Sequence, residues 1–107
     1  MPVINIEFDD AKISDSEALK LSKAVQVIVS QTTQIEDVSV YANSSRVKVK
    51  VAPIEIWVAI SAHKVKNRDE LFAQLKNKLS NWKKKSGFKY PINLTLVPID
   101  WKFEIGI

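Results

Sequence analysis

The sequence contains no cysteine and a single histidine, His63. Disulfides, thiolate metal sites and cysteine nucleophiles are therefore excluded. A multi-histidine metal centre is excluded too, and neither a metal nor a cofactor is expected. Glycine is almost as scarce, with only Gly87 and Gly106, against ~7% of residues in an average chain. Phosphate-cradling loops need several glycines close together, so nucleotide-binding fingerprints fail. No apolar run approaches the ~18 residues that a membrane span requires. The start lacks the basic residues and long apolar stretch of a signal peptide, so a cytoplasmic setting without a membrane partner is the expectation. Arginine is rare as well. Fourteen of the sixteen basic residues are lysine, leaving Arg46 and Arg68 for the bidentate forks that read bases and phosphates. Nucleic acid is not an expected partner.

What is present is one domain's worth of chain, 107 residues, 46% hydrophobic and 26% charged, the composition of an ordinary globular protein. The net charge is +4. Lys76, Lys78, Lys83, Lys84, Lys85 and Lys89 cluster toward the end of an expected helix, where cations complement the helix dipole. A solvated helix end is the first reading of this cluster, and a patch for an anionic partner is the second.

Periodicity organises the rest. Ile4, Ile6 and Phe8 alternate with Val3, Asn5 and Glu7, a strand over 2–8. Ser14 and Glu17 form a capping box, and Ala18, Leu21, Val25 and Ile28 follow at helical spacing, predicting a helix over 15–31. Val38, Val40 and Ala42 give a second strand, and Asn43-Ser44-Ser45 a turn. Arg46 to Val51 alternates again as a short strand. The pattern then repeats. Ile54, Ile56, Val58 and Ile60 form a strand, and Asn67 with Glu70 a second capping box. Leu71, Leu75, Leu79 and Trp82 stripe a helix ended by Gly87. Ile92, Leu94 and Leu96 form another strand, and Trp101 to Ile107 reads as a last short one.

The expected fold is α+β, two βαβ units making a four-stranded mixed sheet with both helices on one face. The other face would carry Asn5, Glu7, Tyr41, Glu55, Trp57 and Thr95. Aromatic residues in the middle of a sheet call for a cover, and with no third helix a second copy of the chain is the expected one. Two acidic features have rival readings. Asp9-Asp10 is an acidic turn or a magnesium site. Glu7 and Glu55 are a general acid–base couple, or structural partners of Lys48 or Lys50 across strands.

A Met1-Pro2 start running directly into an apolar strand, followed by two βαβ units at near-equal spacing, resembles the tautomerase superfamily, the family of 4-oxalocrotonate tautomerase and macrophage migration inhibitory factor. The likeness spans nearly the whole chain in element order, while Pro2 is its one specific residue match. An uncharacterised branch with a Glu and a Trp two residues apart on the middle strand, as Glu55 and Trp57 are, is the most similar. The resemblance implies a homotrimer with sheets facing inward and a small-molecule substrate. It also implies that Pro2 is catalytic once Met1 is removed, because its free secondary amine is a general base with a pKa near the working range. Proline at the start of a strand is otherwise a structural choice, since its missing donor costs nothing there. Lys12 falls where the family has a substrate-binding arginine, keeping the charge and losing the fork. The second family arginine falls near Ser39, with Arg46 a candidate replacement, and a family lysine falls near Thr32. The loop Ser61-Ala62-His63-Lys64 would lie by Pro2, making Ser61 and His63 candidate substrate contacts, with a solvated side chain the other reading of His63. The functional expectation is a tautomerase-like isomerase acting on a small enolisable carbonyl acid. The alternative is a non-enzymatic homotrimer that keeps the fold and has lost the arginines.

Overall fold

The structure is a computed structural model that describes residues 1–107. Its strands are β1 (Val3–Phe8), β2 (Ser39–Asn43), β3 (Ile54–Ser61) and β4 (Asn93–Ile99), and its helices α1 (Asp15–Thr33) and α2 (Arg68–Ser86). A single 3-10 turn, Ala62–Lys64, joins β3 to the approach of α2. The sheet order is β2-β1-β3-β4. β1 runs parallel to β2 and antiparallel to β3, and β3 runs parallel to β4. This is the expected pair of βαβ units, joined antiparallel at the centre of one mixed sheet. Neither helix is long and apolar enough to cross a membrane.

Local chemistry sets the helix ends. The Ser14 hydroxyl accepts from the Glu17 N–H at 3.1 Å, and the Glu17 carboxylate accepts from the Ser14 N–H at 3.0 Å, a complete capping box. Asn67 caps α2 by accepting from the Glu70 N–H at 3.0 Å, without the return bond, so the second box is half formed. Gly87 ends α2 at φ 72°, its N–H donating to the Lys83 carbonyl. That left-handed conformation favours a residue without Cβ.

The strand register is the one that alternation predicts. Ile4, Ile6, Ile54, Ile56 and Val58 point to the helices and are buried against Leu21, Val25, Val29, Leu75 and Leu79, each fully buried side chain contributing ~1.5–3 kcal/mol. Val29 takes the buried place expected of Ile28, which packs at the margin. Val40, Leu94 and Leu96, on the two edge strands, pack against the same core and are partly buried. A slip of one residue in β1 or β3 would send all of these to the other face.

Two expected strands do not form within the chain. Residues 44–53 make a loop in which Val47 and Val49 are 81% and 86% exposed. β1 is already paired on both sides, by β2 and β3, so the segment has no central edge to join. Lys48 is drawn instead to the β1–α1 turn, with its ammonium 2.7 Å from Asp10, and Lys50 adopts φ 54°, outside extended geometry. The tail from Trp101 to Ile107 likewise joins no ladder, leaving Phe103 and Ile105 exposed. Each unpaired segment follows an edge strand, the loop after β2 and the tail after β4.

Candidate active site

Pro2 stands at the head of β1. It is buried, and its carbonyl accepts from the Ser39 N–H at 3.3 Å. β1 and β3 pair through Val3 and Ala59, and one further step of the same antiparallel register sets Pro2 against Ile60 and Met1 against Ser61. Ser61 is buried, and its hydroxyl accepts from the indole N–H of Trp101 at 2.7 Å. The tail therefore crosses the end of β3 beside the Pro2 end of the sheet. His63 follows in the 3-10 turn with its side chain exposed. Pro2, Ser61 and His63 thus belong to one end of the sheet.

Lys12 does not share that end. It follows the far end of β1, where its N–H donates to the Asp9 carbonyl. The strand carries the chain roughly 20 Å at ~3.3 Å per residue, so Lys12 and Pro2 do not face a common site within one chain. Cations at the Pro2 end include Lys64 in the 3-10 turn, and Lys66 and Arg68, which with Asp69 line a shallow depression of about 420 Å³ between that turn, the start of α2 and Pro98. The sequence singles out Arg68 as one of two possible forks but does not place it, or Lys66, at this end. The available signal was the Asn67 cap, which starts α2 close to where β3 ends. Ser39, at the position of the second family arginine, is beside Pro2 and brings no charge. At Thr32 the hydroxyl accepts from the ammonium of Lys78 at 2.9 Å, so a lysine of α2 reaches the place near which the resemblance implies a lysine after the first helix. Arg46, the candidate replacement, is exposed in the 44–53 loop.

The acidic candidates gather at the opposite end. Glu7 and Glu55 are direct cross-strand partners. Lys48 pairs with Asp10 at 2.7 Å and Asp9 at 3.9 Å and with neither glutamate, which overturns the expected pairing. Glu7 accepts from the Ser45 hydroxyl at 3.2 Å and Glu55 from the Asn93 amide at 2.6 Å. Both glutamates line a groove of about 380 Å³ on the helix-free face, with Trp57 and Lys50. Asp9-Asp10 is a structured acidic turn: the Asp9 carboxylate accepts from the Ala11 N–H, and the Lys48 ammonium, by hydrogen bond and charge, holds the Asp10 carboxyl below its ordinary range. A metal at that turn would compete with an ammonium already in place.

No protein-family model and no curated protein matches the sequence. Solved structures do match the fold. Malonate semialdehyde decarboxylase inhibited by 3-bromopropiolate superposes with a TM-score of 0.71 at 12% identity, covering 98% of this chain and 91% of that one. A macrophage migration inhibitory factor-like protein from Entamoeba histolytica gives 0.60 at 17% identity, covering 96% and 95%. A domain of unknown function from Sebaldella termitidis gives 0.67 at 10% identity, covering 100% and 98%. The chain has the tautomerase-superfamily fold. At these identities the likeness is one of architecture. In this chain the charges are shared out, with neutral Ser39 next to Pro2, Lys66 just before α2 and Arg68 at its first residue, and Lys12 beyond the far end of β1.

Proposed function

We propose that this protein is a tautomerase-like isomerase that uses Pro2 as general base on a small enolisable carbonyl acid, working as a cytoplasmic homotrimer. The observation that carries the reading is the position of Pro2, buried at the head of a central strand, with the Ser61–His63 turn at the same end of the sheet. While Met1 is attached, the Pro2 nitrogen is an amide and has no basic lone pair. Removal of Met1 frees a secondary amine, whose ordinary pKa of ~7.7–8.0 suits a base at neutral pH. The amine would take the hydroxyl proton of an enol acid as the carbonyl forms. A proton is returned to the adjacent carbon, so that enol becomes ketone with no other reactant.

Oligomerisation is part of the proposal. Tyr41 is 58% exposed and Trp57 half-buried on the helix-free sheet face. The unpaired segments follow the strands at opposite edges of the sheet, and contact between unlike edges, repeated head to tail, would give a ring of three if each copy is turned by a third of a circle. Lys12 would reach a Pro2 site only from a neighbouring copy, and in this reading Arg68 or Lys66, beyond the same end of β3, would take its place as the carboxylate contact. A non-enzymatic homotrimer is the second reading, favoured by the neutral Ser39 beside Pro2. The experiment that separates them pairs intact mass, which reports Met1 removal, with a panel of enol acids such as phenylenolpyruvate. Turnover that falls on Arg68→Ala mainly through a raised KM supports the carboxylate contact. A processed protein that turns over no enol acid is the non-enzymatic homotrimer.

A further inference from the structure

The lysine-rich face remains unexplained by any reading of Pro2. α1 and α2 lie side by side and antiparallel, with Lys20 of α1 bonded to the Ser86 carbonyl at 3.4 Å and Lys78 of α2 bonded to the Thr32 hydroxyl at 2.9 Å. Between the helices runs an open groove of about 690 Å³. Its rim carries Lys20 and Lys23 from α1 and Lys78 and Lys85 from α2, and no carboxylate lines it. Its floor is apolar, with Val27 47% exposed and Trp82 half-buried. The chain's ion pairs are those of Lys48 with Asp9 and Asp10, so none of the rim lysines is neutralised within 4.0 Å. Lys20 and Lys78 reach across the groove to neutral acceptors, and although Glu17 feels the Lys20 charge from one turn away on α1, no carboxylate stands against the rim.

We infer that this groove docks an acidic amphipathic helix of a protein partner. The chemistry of floor and rim selects the occupant. A helix laid in a groove buries residues spaced i, i+3, i+4 and i+7 and turns its flanks toward both walls. Here the floor is apolar and both walls are cationic, so the complement is an apolar stripe bordered by Glu or Asp on each side. The stretch from Lys20 to Gln31 is about 17 Å long at ~1.5 Å per residue, room for about three turns of a partner helix. Nucleic acid fits less well, because the rim offers point charges without one arginine fork, and phosphates would leave Val27 and Trp82 uncovered. An anionic membrane surface is flat and does not match two cationic walls set on either side of an apolar strip. The groove lies on the opposite side of the molecule from the open sheet face, so docking is independent of self-association.

The test uses the full chain and fluorescein-labelled three-turn peptides with Leu or Ile at the stripe positions and Glu on both flanks, made in several registers and read by anisotropy. The expected result is saturable binding that weakens as salt is raised. It should be lost by about tenfold or more in Lys23→Glu/Lys85→Glu and weakened in Val27→Ser, with circular dichroism and melting of both variants unchanged. A scrambled peptide of the same composition should bind at least about tenfold more weakly. Equal binding of the scrambled peptide, indifference to the charge reversal, or no saturable binding in any register overturns the inference. Tighter binding of a single-stranded RNA oligomer or of phosphatidylserine vesicles through the same lysines overturns it in favour of those partners.

Discussion

Glu7 and Glu55 stand directly opposite one another across β1 and β3, each held by a neutral donor, Ser45 and Asn93 respectively. Like charges at directly opposed positions destabilise a sheet. Glu7→Gln keeps an acceptor for Ser45 and removes the repulsion, so it should raise the urea midpoint, and added salt should raise the wild-type midpoint more than the variant's. An unchanged or lowered midpoint would mean that a cation, Lys50 of the same groove or one from another copy, already offsets the pair.

The contact between Trp101 and Ser61 anchors the tail at the Pro2 end of the sheet. Trp101→Phe keeps the aromatic ring and deletes the donor, leaving a buried hydroxyl without its partner at a cost of about 1–3 kcal/mol. The chain should unfold at lower denaturant, and limited proteolysis after Lys102 should speed up in the folded state. Neither changing would show that the tail is held by something other than this bond.

Two carboxylates give folding stability an acid limb. Glu17 is held below its ordinary range first by its bond from the Ser14 N–H, with help from the Ser14 and Tyr90 hydroxyls and Lys20, and Asp10 by Lys48. A carboxyl with a depressed folded pKa binds fewer protons folded than unfolded through the window between the two values. Its contribution is therefore present above the ordinary carboxylate range and lost as pH falls through the folded value. Glu17→Gln should flatten the acid side of the stability–pH curve while leaving neutral pH less stable. Because both groups are exposed, high salt should shrink the Asp10 part. An acid limb unchanged by Glu17→Gln contradicts the assignment.

Self-association has a direct probe in Trp57. Trp57→Lys puts an ammonium on the surface proposed to be covered, where an unpaired charge is costly. Light scattering should return about three times the 12.1 kDa chain mass for wild type and the single-chain mass for the variant. A wild-type species of 12.1 kDa at micromolar concentration would remove the trimer from the proposal.

Much of the fold was legible because burial leaves a period. Ile4, Ile6 and Phe8 could only face a core as a strand, and Ser14 with Glu17 marks a helix start that the backbone then obeys. Alternation reports which face a residue would take and not whether an edge is free to pair. Arg46 to Val51 and Trp101 to Ile107 carry the strand pattern beyond the two sheet edges and find no partner inside one chain. Of the site, the position of Pro2 was legible because it opens the first strand. The separation of Lys12 from it was not, since matching residues one by one to a motif ignores that β1 must be crossed between them. Arg68 stood out only as one of two arginines, and its place was not legible because a cation at a helix start reads as surface until the turn after Ser61 is folded beside it.

The identity of the base is tested by comparing three forms of one protein on phenylenolpyruvate: processed wild type, wild type retaining Met1, and processed Pro2→Ala. The ketonisation rate should be highest in the processed wild type, fall strongly in Pro2→Ala, whose primary amine differs in basicity and geometry, and vanish where Met1 makes the nitrogen an amide. Equal rates in processed wild type and Pro2→Ala, or turnover undiminished by Met1, would contradict Pro2 as the base.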